Sequence, residues 1–172
     1  MKTSIFLGTR VEALSVLIRY TKVVLIITEK DSFIDKSQYR NEIKSIYVDG
    51  LSKRSVNDIL EKAKVDIVLS AGFKFVLPLN IINNGPIYIN SHPSYLPKYK
   101  GKNAIKDAIK NKEKYIGVTL HYMDEAVDSG KIIYQKKITV NELSLNEIYN
   151  KIFSKLEPEV INIGIKEILN DK

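Results

Sequence analysis

The chain has no cysteine among its 172 residues. Disulfides and thiolate metal sites are therefore excluded. Long apolar runs are missing as well, and none approaches the length that spans a bilayer. The start, Met1-Lys2-Thr3, lacks the apolar core of a secretion signal. A cytoplasmic location is expected by default, with no membrane partner. Glycine signatures are sparse. Gly8 stands alone after the first apolar run, with neither a GxGxxG nor a GxxxxGK pattern around it. A dinucleotide site or a phosphate loop is left with little support. No internal repeat, linker or low-complexity segment breaks the chain. A single domain over residues 1–172 is expected, long enough to bury a real core.

What is present fits a folded globular protein: 44% hydrophobic residues with charges interspersed. Lysine and arginine number 27 against 20 acidic residues, for a net charge of +7. The densest cluster is Lys98, Lys100, Lys102, Lys106, Lys110, Lys112 and Lys114. Scattered lysines read first as a solvated surface. Attraction for an anionic small molecule comes second and nucleic acid third.

The first apolar run, Ser4 to Leu7, predicts a strand, and Val11 to about Tyr20 predicts a helix with Val11, Leu14, Leu17 and Ile18 on one face. Lys22 to Ile27 is nearly continuous in apolar residues, the mark of a strand covered on both faces. This β-α-β opening implies a right-handed crossover and a mostly parallel sheet with helices on both faces, a Rossmann-like α/β fold. Residues 29–42 read as a surface loop, and Lys44–Val48 as a short strand. Ser55-Val56-Asn57-Asp58 fits a capping box for a helix reaching Ala63. Asp66–Ser70 is a further buried strand, followed by a loop and short helical turn through Pro78. A helix is expected over Gly101–Asn111, with strands at Ile116–Met123 and from Lys131 to about Val140. These last two suggest an antiparallel C-terminal addition. Ser144-Leu145-Asn146-Glu147 is a second capping box, opening a helix to about Asn170. Its core stripe is Ile148, Ile152, Leu156, Ile161, Ile165 and Ile168, and Pro158 should kink or split it.

The chemistry concentrates in Ile89-Asn90-Ser91-His92-Pro93-Ser94-Tyr95-Leu96-Pro97, closed by Tyr99-Lys100-Gly101. The apolar run Pro86–Ile89 ends abruptly in polar residues and prolines, as a buried strand does when it runs out into a loop. Strand ends are where ligands bind in open α/β sheets. Asn90 and His92 are two apart, so a strand continuing that far sends both side chains to one face. Pro93 keeps His92 extended. A lone histidine at a strand end is more often incidental. A second segment, Gly117 to Gly130, argues otherwise by placing a carboxylate, Asp128, in a turn between strands.

The spaced residues Asn90, His92, Pro93, Ser94, Leu96, Pro97, Tyr99 and Gly101, with Gly117, Thr119, His121, Asp128, Gly130 and Gln135, resemble the folate-dependent formyltransferases. That family includes the glycinamide ribonucleotide, methionyl-tRNA and amino-sugar N-formyltransferases. The resemblance covers residues 66–160 well and the N-terminal third loosely. It implies formyl transfer from 10-formyltetrahydrofolate to a primary amine, with Asn90, His92 and Asp128 as the catalytic trio. The residue types suit that chemistry. Asn90 can donate an N–H to the developing oxyanion, a contribution of ~3 kcal/mol in comparable sites. His92 donates a second bond if it is protonated, and an anion beside it raises a histidine's pKa. Asp128 can take the proton that the amine loses, and it should titrate with His92 as a pair. No metal is called for, since the two histidines lack partners at ligand spacing.

The resemblance also implies a folate slot at Tyr122–Val127, with Tyr122, Met123 and Val127 named, and at Phe75, Val76 and Leu77. Core packing is the plain alternative for each side chain. It makes His121 structural rather than catalytic, and it places Glu157 toward the amine, against the alternative of an exposed helix glutamate. Gly8, Thr9 and Arg10 would meet the acceptor, Arg10 as a phosphate partner at a helix start. This stretch lacks the Gly/Ser/Asn-rich loop of the glycinamide enzymes, and a barrel domain like that of the tRNA enzymes is not expected. The expected acceptor is a nucleotide-linked amino sugar. Glycinamide ribonucleotide, a tRNA-type catalytic domain and a catalytically idle folate-binding module are the alternatives. Nucleic acid is the least favoured partner, and the oligomeric state stays open, a homodimer included.

Overall fold

The computed structural model describes residues 1–49, 51–83 and 85–170. Contacts divide the chain into two compact units, Met1–Ile89 and Asn90–Lys172. The first contains β1 (Thr3–Gly8), α1 (Val11–Tyr20), β2 (Lys22–Thr28), α2 (Tyr39–Glu42), β3 (Ser45–Tyr47), α3 (Lys53–Glu61), β4 (Ile67–Ala71) and α4 (Leu79–Ile82). The second contains α5 (Ala104–Lys110), β6 (Tyr115–Tyr122), β7 (Ile132–Thr139), α6 (Leu145–Lys151) and α7 (Glu157–Asn170). Strand β5 (Ile87–His92) carries the boundary. The strand order is β3-β2-β1-β4-β5-β6-β7, with β1–β2, β1–β4 and β2–β3 parallel and β6–β7 antiparallel. This is the expected mixed, mostly parallel α/β sheet.

In the first unit the apolar runs form the strands because both faces are covered: Ile5, Phe6, Leu7, Ile26, Ile27, Val68 and Leu69 are all buried. Helix α1 covers them with Ala13, Leu14, Val16 and Leu17. Gly8 ends β1 at φ +130°, paired with Ala71, where a Cβ would fall 2.0 Å from the Ala71 carbonyl oxygen. Only glycine fits there. At the other end of the sheet, the Asp66 carboxylate accepts bonds from Lys2 Nζ (2.6 Å) and the Thr3 N–H (2.8 Å), tying the starts of β1 and β4 together. Helix α3 begins three residues earlier than the expected capping box. Ser52, not Ser55, is the cap, and its side chain accepts the Ser55 N–H.

In the second unit β6 and β7 form a hairpin whose register shifts between Leu120 and His121. Helix α5 starts at Ala104 rather than Gly101, because Gly101 sits at φ +85° and turns its N–H elsewhere. The Ser144 capping box forms as expected, with Ser144 and Glu147 bonding each other's backbone N–H. Pro158 splits the long helix. A π-helical turn, Ile152–Leu156, separates α6 from α7, and the proline falls in the first turn of α7, where its missing N–H costs least. The stripe Ile148, Ile152, Leu156, Ile161, Ile165 and Ile168 is buried throughout. No helix among the described residues is long and apolar enough to cross a membrane.

Candidate active site

Strand β5 continues to His92, so Asn90 and His92 do leave the same face. Ser91 leaves the other. The loop from Met123 to Lys131 joins β6 to β7 and is closed by the Tyr122 N–H bonding the Lys131 carbonyl (2.9 Å). Gly130 makes that closure tight: a Cβ there would lie 1.9 Å from the Tyr122 carbonyl oxygen. The loop aims Asp128 back at β5. Asn90 Nδ2 donates to Asp128 Oδ1 (3.3 Å), and His92 Nδ1 stands 3.3 Å from Asp128 Oδ2. Asn90, His92 and Asp128 therefore meet in one place, within the second unit.

Two backbone groups and a second imidazole complete the cluster. The Gly101 N–H donates to Asp128 Oδ2 (2.8 Å). His92 Nε2 lies 2.8 Å from the Tyr99 carbonyl, which can only accept, so the proton of the neutral ring sits on Nε2. Its Nδ1 then presents a lone pair to Asp128. His121 is arranged in the opposite sense. Its Nδ1 donates to the Tyr122 carbonyl (2.8 Å), leaving Nε2 to accept from Asn90 Nδ2 at 3.2 Å. Tyr99 and Gly101 belong to the sequence motif, but nothing in the residue types announced that their backbone groups hold the pair.

Electrostatics corrects one expectation. His92 is 5% exposed, and burial lowers its pKa below 6.5. The Tyr99 bond and the Asp128 charge pull upward but do not win, and His121 adds to the lowering. Burial pushes the Asp128 carboxyl up. The His121 contact and the Gly101 N–H, with a smaller pull from His92, outweigh that and leave it below the ordinary carboxylate value. The resting pair is thus a carboxylate beside a neutral imidazole, not an imidazolium. Desolvation of the charged ring is the reason.

The remaining expected residues are placed as follows. Glu157 is not an exposed helix glutamate: it is 1% exposed, and its Oε1 accepts the Ser91 hydroxyl (2.9 Å). Tyr122 and Met123 are partly exposed at the end of β6, and Val127 is 48% exposed on the Asp128 loop. In the first unit Phe75 packs edge-on against Phe73, with Lys74 Nζ 5.5 Å from its ring. Val76 is 52% exposed, and Leu77 is partly so. Thr9 and Arg10 alone bridge β1 to α1, and the Thr9 N–H bonds the Ala71 carbonyl (3.2 Å). A Cβ at Gly72 would stand 3.1 Å from Thr9 Oγ1 and 3.2 Å from Arg10 Nε, so both side chains lie over that glycine.

Known proteins are similar to this chain in sequence and in fold. The chain is 26% identical over 179 residues to methionyl-tRNA formyltransferase of Carboxydothermus hydrogenoformans, covering 95% of this chain and 58% of that protein. It is 31% identical over 118 residues to phosphoribosylglycinamide formyltransferase of Bacillus subtilis, covering 68% of this chain and 60% of the relative. The chain thus spans little more than half the length of these curated relatives. The crystal structure of phosphoribosylglycinamide formyltransferase from Bacillus halodurans superposes with a TM-score of 0.84 at 26% identity, over 99% of this chain and 96% of that one. A family model described as formyl transferase matches residues 3–163, which include β5, the Asp128 loop and both histidines. With both motifs inside that match and their side chains converging, the chain belongs to the folate-dependent formyltransferase family.

Proposed function

We propose that this chain carries a formyl group from 10-formyltetrahydrofolate to a primary amine, with Asn90, His92 and Asp128 at the reacting centre. The observation that carries the reading is the convergence of an amide donor, a carboxylate and a neutral imidazole within 3.3 Å contacts. Asn90 makes two long bonds, at 3.2 and 3.3 Å. An oxygen developing negative charge makes a shorter, charge-assisted bond and displaces them. Asp128 is ionised and takes the proton lost as the amine nitrogen bonds the formyl carbon. His92 Nδ1, a lone pair beside that carboxylate, shares the proton. Once charged, the ring donates from both nitrogens, to Asp128 and to the Tyr99 carbonyl. The folate supplies the formyl group, and as the bond from the formyl carbon to its nitrogen breaks, that nitrogen takes up the proton held by the pair and departs as N–H. An exposed apolar side chain on the Asp128 loop fits such a donor: Val127 leaves apolar surface open beside the reacting centre, on which a flat ring can lie.

A nucleotide-linked amino sugar is the acceptor this reading favours. Two residues, Thr9 and Arg10, separate β1 from α1, too few for a cradle of loop amides around a ribonucleotide phosphate. The excess of positive charge suits a diphosphate. Glycinamide ribonucleotide is the second reading, supported by the similarity to phosphoribosylglycinamide formyltransferases; Glu157 does not add to it, since its carboxylate accepts from Ser91 on the face of β5 opposite Asn90 and His92. The test is competition. The protein receives 10-formyltetrahydrofolate with glycinamide ribonucleotide and a panel of dTDP-, UDP- and GDP-linked amino sugars. The highest kcat/KM is expected for one of the sugars. A highest value for glycinamide ribonucleotide would reverse the order.

A further inference from the structure

The loop that follows β5 does more than leave the sheet. Its Tyr99 carbonyl accepts the His92 Nε2–H, and its Gly101 N–H reaches Asp128. Tyr99 holds this position at φ 55°, a left-handed conformation that a tyrosine keeps only when its surroundings insist. The far end of the same residue is fixed too. The Tyr99 hydroxyl donates to Glu113 Oε1 (2.9 Å), and Lys98 Nζ donates to the same oxygen (2.9 Å). Glu113 lies just past α5, and its own N–H bonds the Ala108 carbonyl (3.0 Å). Both carboxylate contacts hold Glu113 ionised below its ordinary range, the Lys98 bond more than the Tyr99 bond. A chain of contacts thus runs from Glu113 through the Tyr99 ring and backbone to the His92 proton.

Resting on the assignment of Asn90, His92 and Asp128 above, we infer that Glu113 is a positioning residue for the reaction. By anchoring the Tyr99 hydroxyl, it fixes the Tyr99 carbonyl that keeps the His92 proton on Nε2 and so leaves the Nδ1 lone pair facing Asp128. Without the anchor, Tyr99 relaxes from its left-handed conformation and the carbonyl leaves the ring. The proton then divides between the two nitrogens. Wherever Nδ1 carries the proton, it donates to Asp128, and no lone pair is left there to share the proton that the amine loses.

The chain has two histidines, so ring tautomers are read directly from long-range 1H–15N spectra. The wild-type protein should show His92 protonated on Nε2 and His121 on Nδ1. Tyr99→Phe removes the hydroxyl and keeps the ring, and Glu113→Ala removes the acceptor. In both, the His92 nitrogens should move toward averaged shifts while those of His121 stay. Turnover should fall about tenfold, the effect of roughly one hydrogen bond's worth of positioning, with KM for both substrates little changed. Glu113→Gln, whose carbonyl still accepts the hydroxyl, should restore both spectrum and kcat. Lys98→Met should match wild type, because the Tyr99 bond survives. Thermal midpoints show which variants are folded, and Tyr99→Phe carries the test if Glu113→Ala is not. Wild-type spectra and kcat in Tyr99→Phe and Glu113→Ala would overturn the inference, as would a fall in kcat with the His92 tautomer unmoved. Asp128→Asn is run alongside. If it alone is inactive, the site assignment stands and only the anchor is wrong. If it is fully active, the assignment itself fails.

Discussion

Asp128 is held at φ 52°, in the left-handed region that asparagine tolerates better than most residues. Asp128→Asn therefore keeps the backbone and the shape while removing the charge and the proton-accepting oxygen. Its kcat is expected to fall at least about a hundredfold, with an unchanged circular dichroism spectrum. Near-normal turnover in that folded variant would take Asp128 out of the chemistry. The positions of Asn90, His92 and Asp128 were legible in the sequence, because strand alternation and a turn between two strands fix where their side chains go. The protonation of His92 was not. A carboxylate two motifs away can be anticipated as a neighbour, and a neighbour alone predicts a raised pKa. Burial, which reverses the sign here, depends on everything packed around the ring. Glu113 was also invisible, since its link to Tyr99 exists only after the loop has folded back over α5.

At the scale of elements, the strands were readable as apolar runs and their ends were not. Helix α3 shows why. Ser52 and Ser55 both suit a cap, and the choice falls to whichever hydroxyl meets an N–H three residues on. The π-helical turn had a trace in the sequence. The buried stripe steps by four from Ile148 to Ile152 and Leu156, then by five to Ile161, and the extra residue is absorbed just before Pro158. Beyond the turn, α7 lies against β6 and β7 at Gly164. A Cβ there would come within 2.5 Å of Leu120 Cδ2 and 3.3 Å of Ile133 Cγ2. Two effects oppose each other in Gly164→Ala. Helix propensity favours alanine by about 1 kcal/mol, and overpacking a full core costs about 1–3 kcal/mol. Leu120 is fully buried and has little room to yield. A net loss of about 1 kcal/mol is expected, seen as a lower urea midpoint with an unchanged slope. A higher midpoint would mean that Leu120 finds another rotamer at no cost.

For the whole molecule the consequence is acid lability in two windows, an upper one set by a buried histidine and a lower one set by carboxylates. In the second unit, His92 has a folded pKa below its ordinary 6.5 because burial penalises the charged ring. The folded state then binds fewer protons than the unfolded chain. The resulting stability is complete above about pH 6.5 and is lost as pH falls from there toward the lowered value. In the first unit, Asp66 is held at about 2 against an ordinary 3.8, chiefly by the Lys2 bond and then by the Thr3 N–H. Its contribution is present above 3.8 and is lost as pH falls through about 2. Both signs agree, so acid weakens the fold in each window. Protonating carboxylates on a chain already at +7 adds self-repulsion to the second. The melting temperature should therefore decline in two stages between about pH 7 and about pH 2. His92→Gln is expected to flatten the upper stage and leave the lower one. Asp66→Asn should lower stability at neutral pH and flatten the decline below pH 3.8. Melting curves across that range for the two variants and their parent decide the matter. If His92→Gln left the upper stage as steep as in the parent, the titrating group would lie elsewhere and the buried neutral imidazole would not be what acid attacks first.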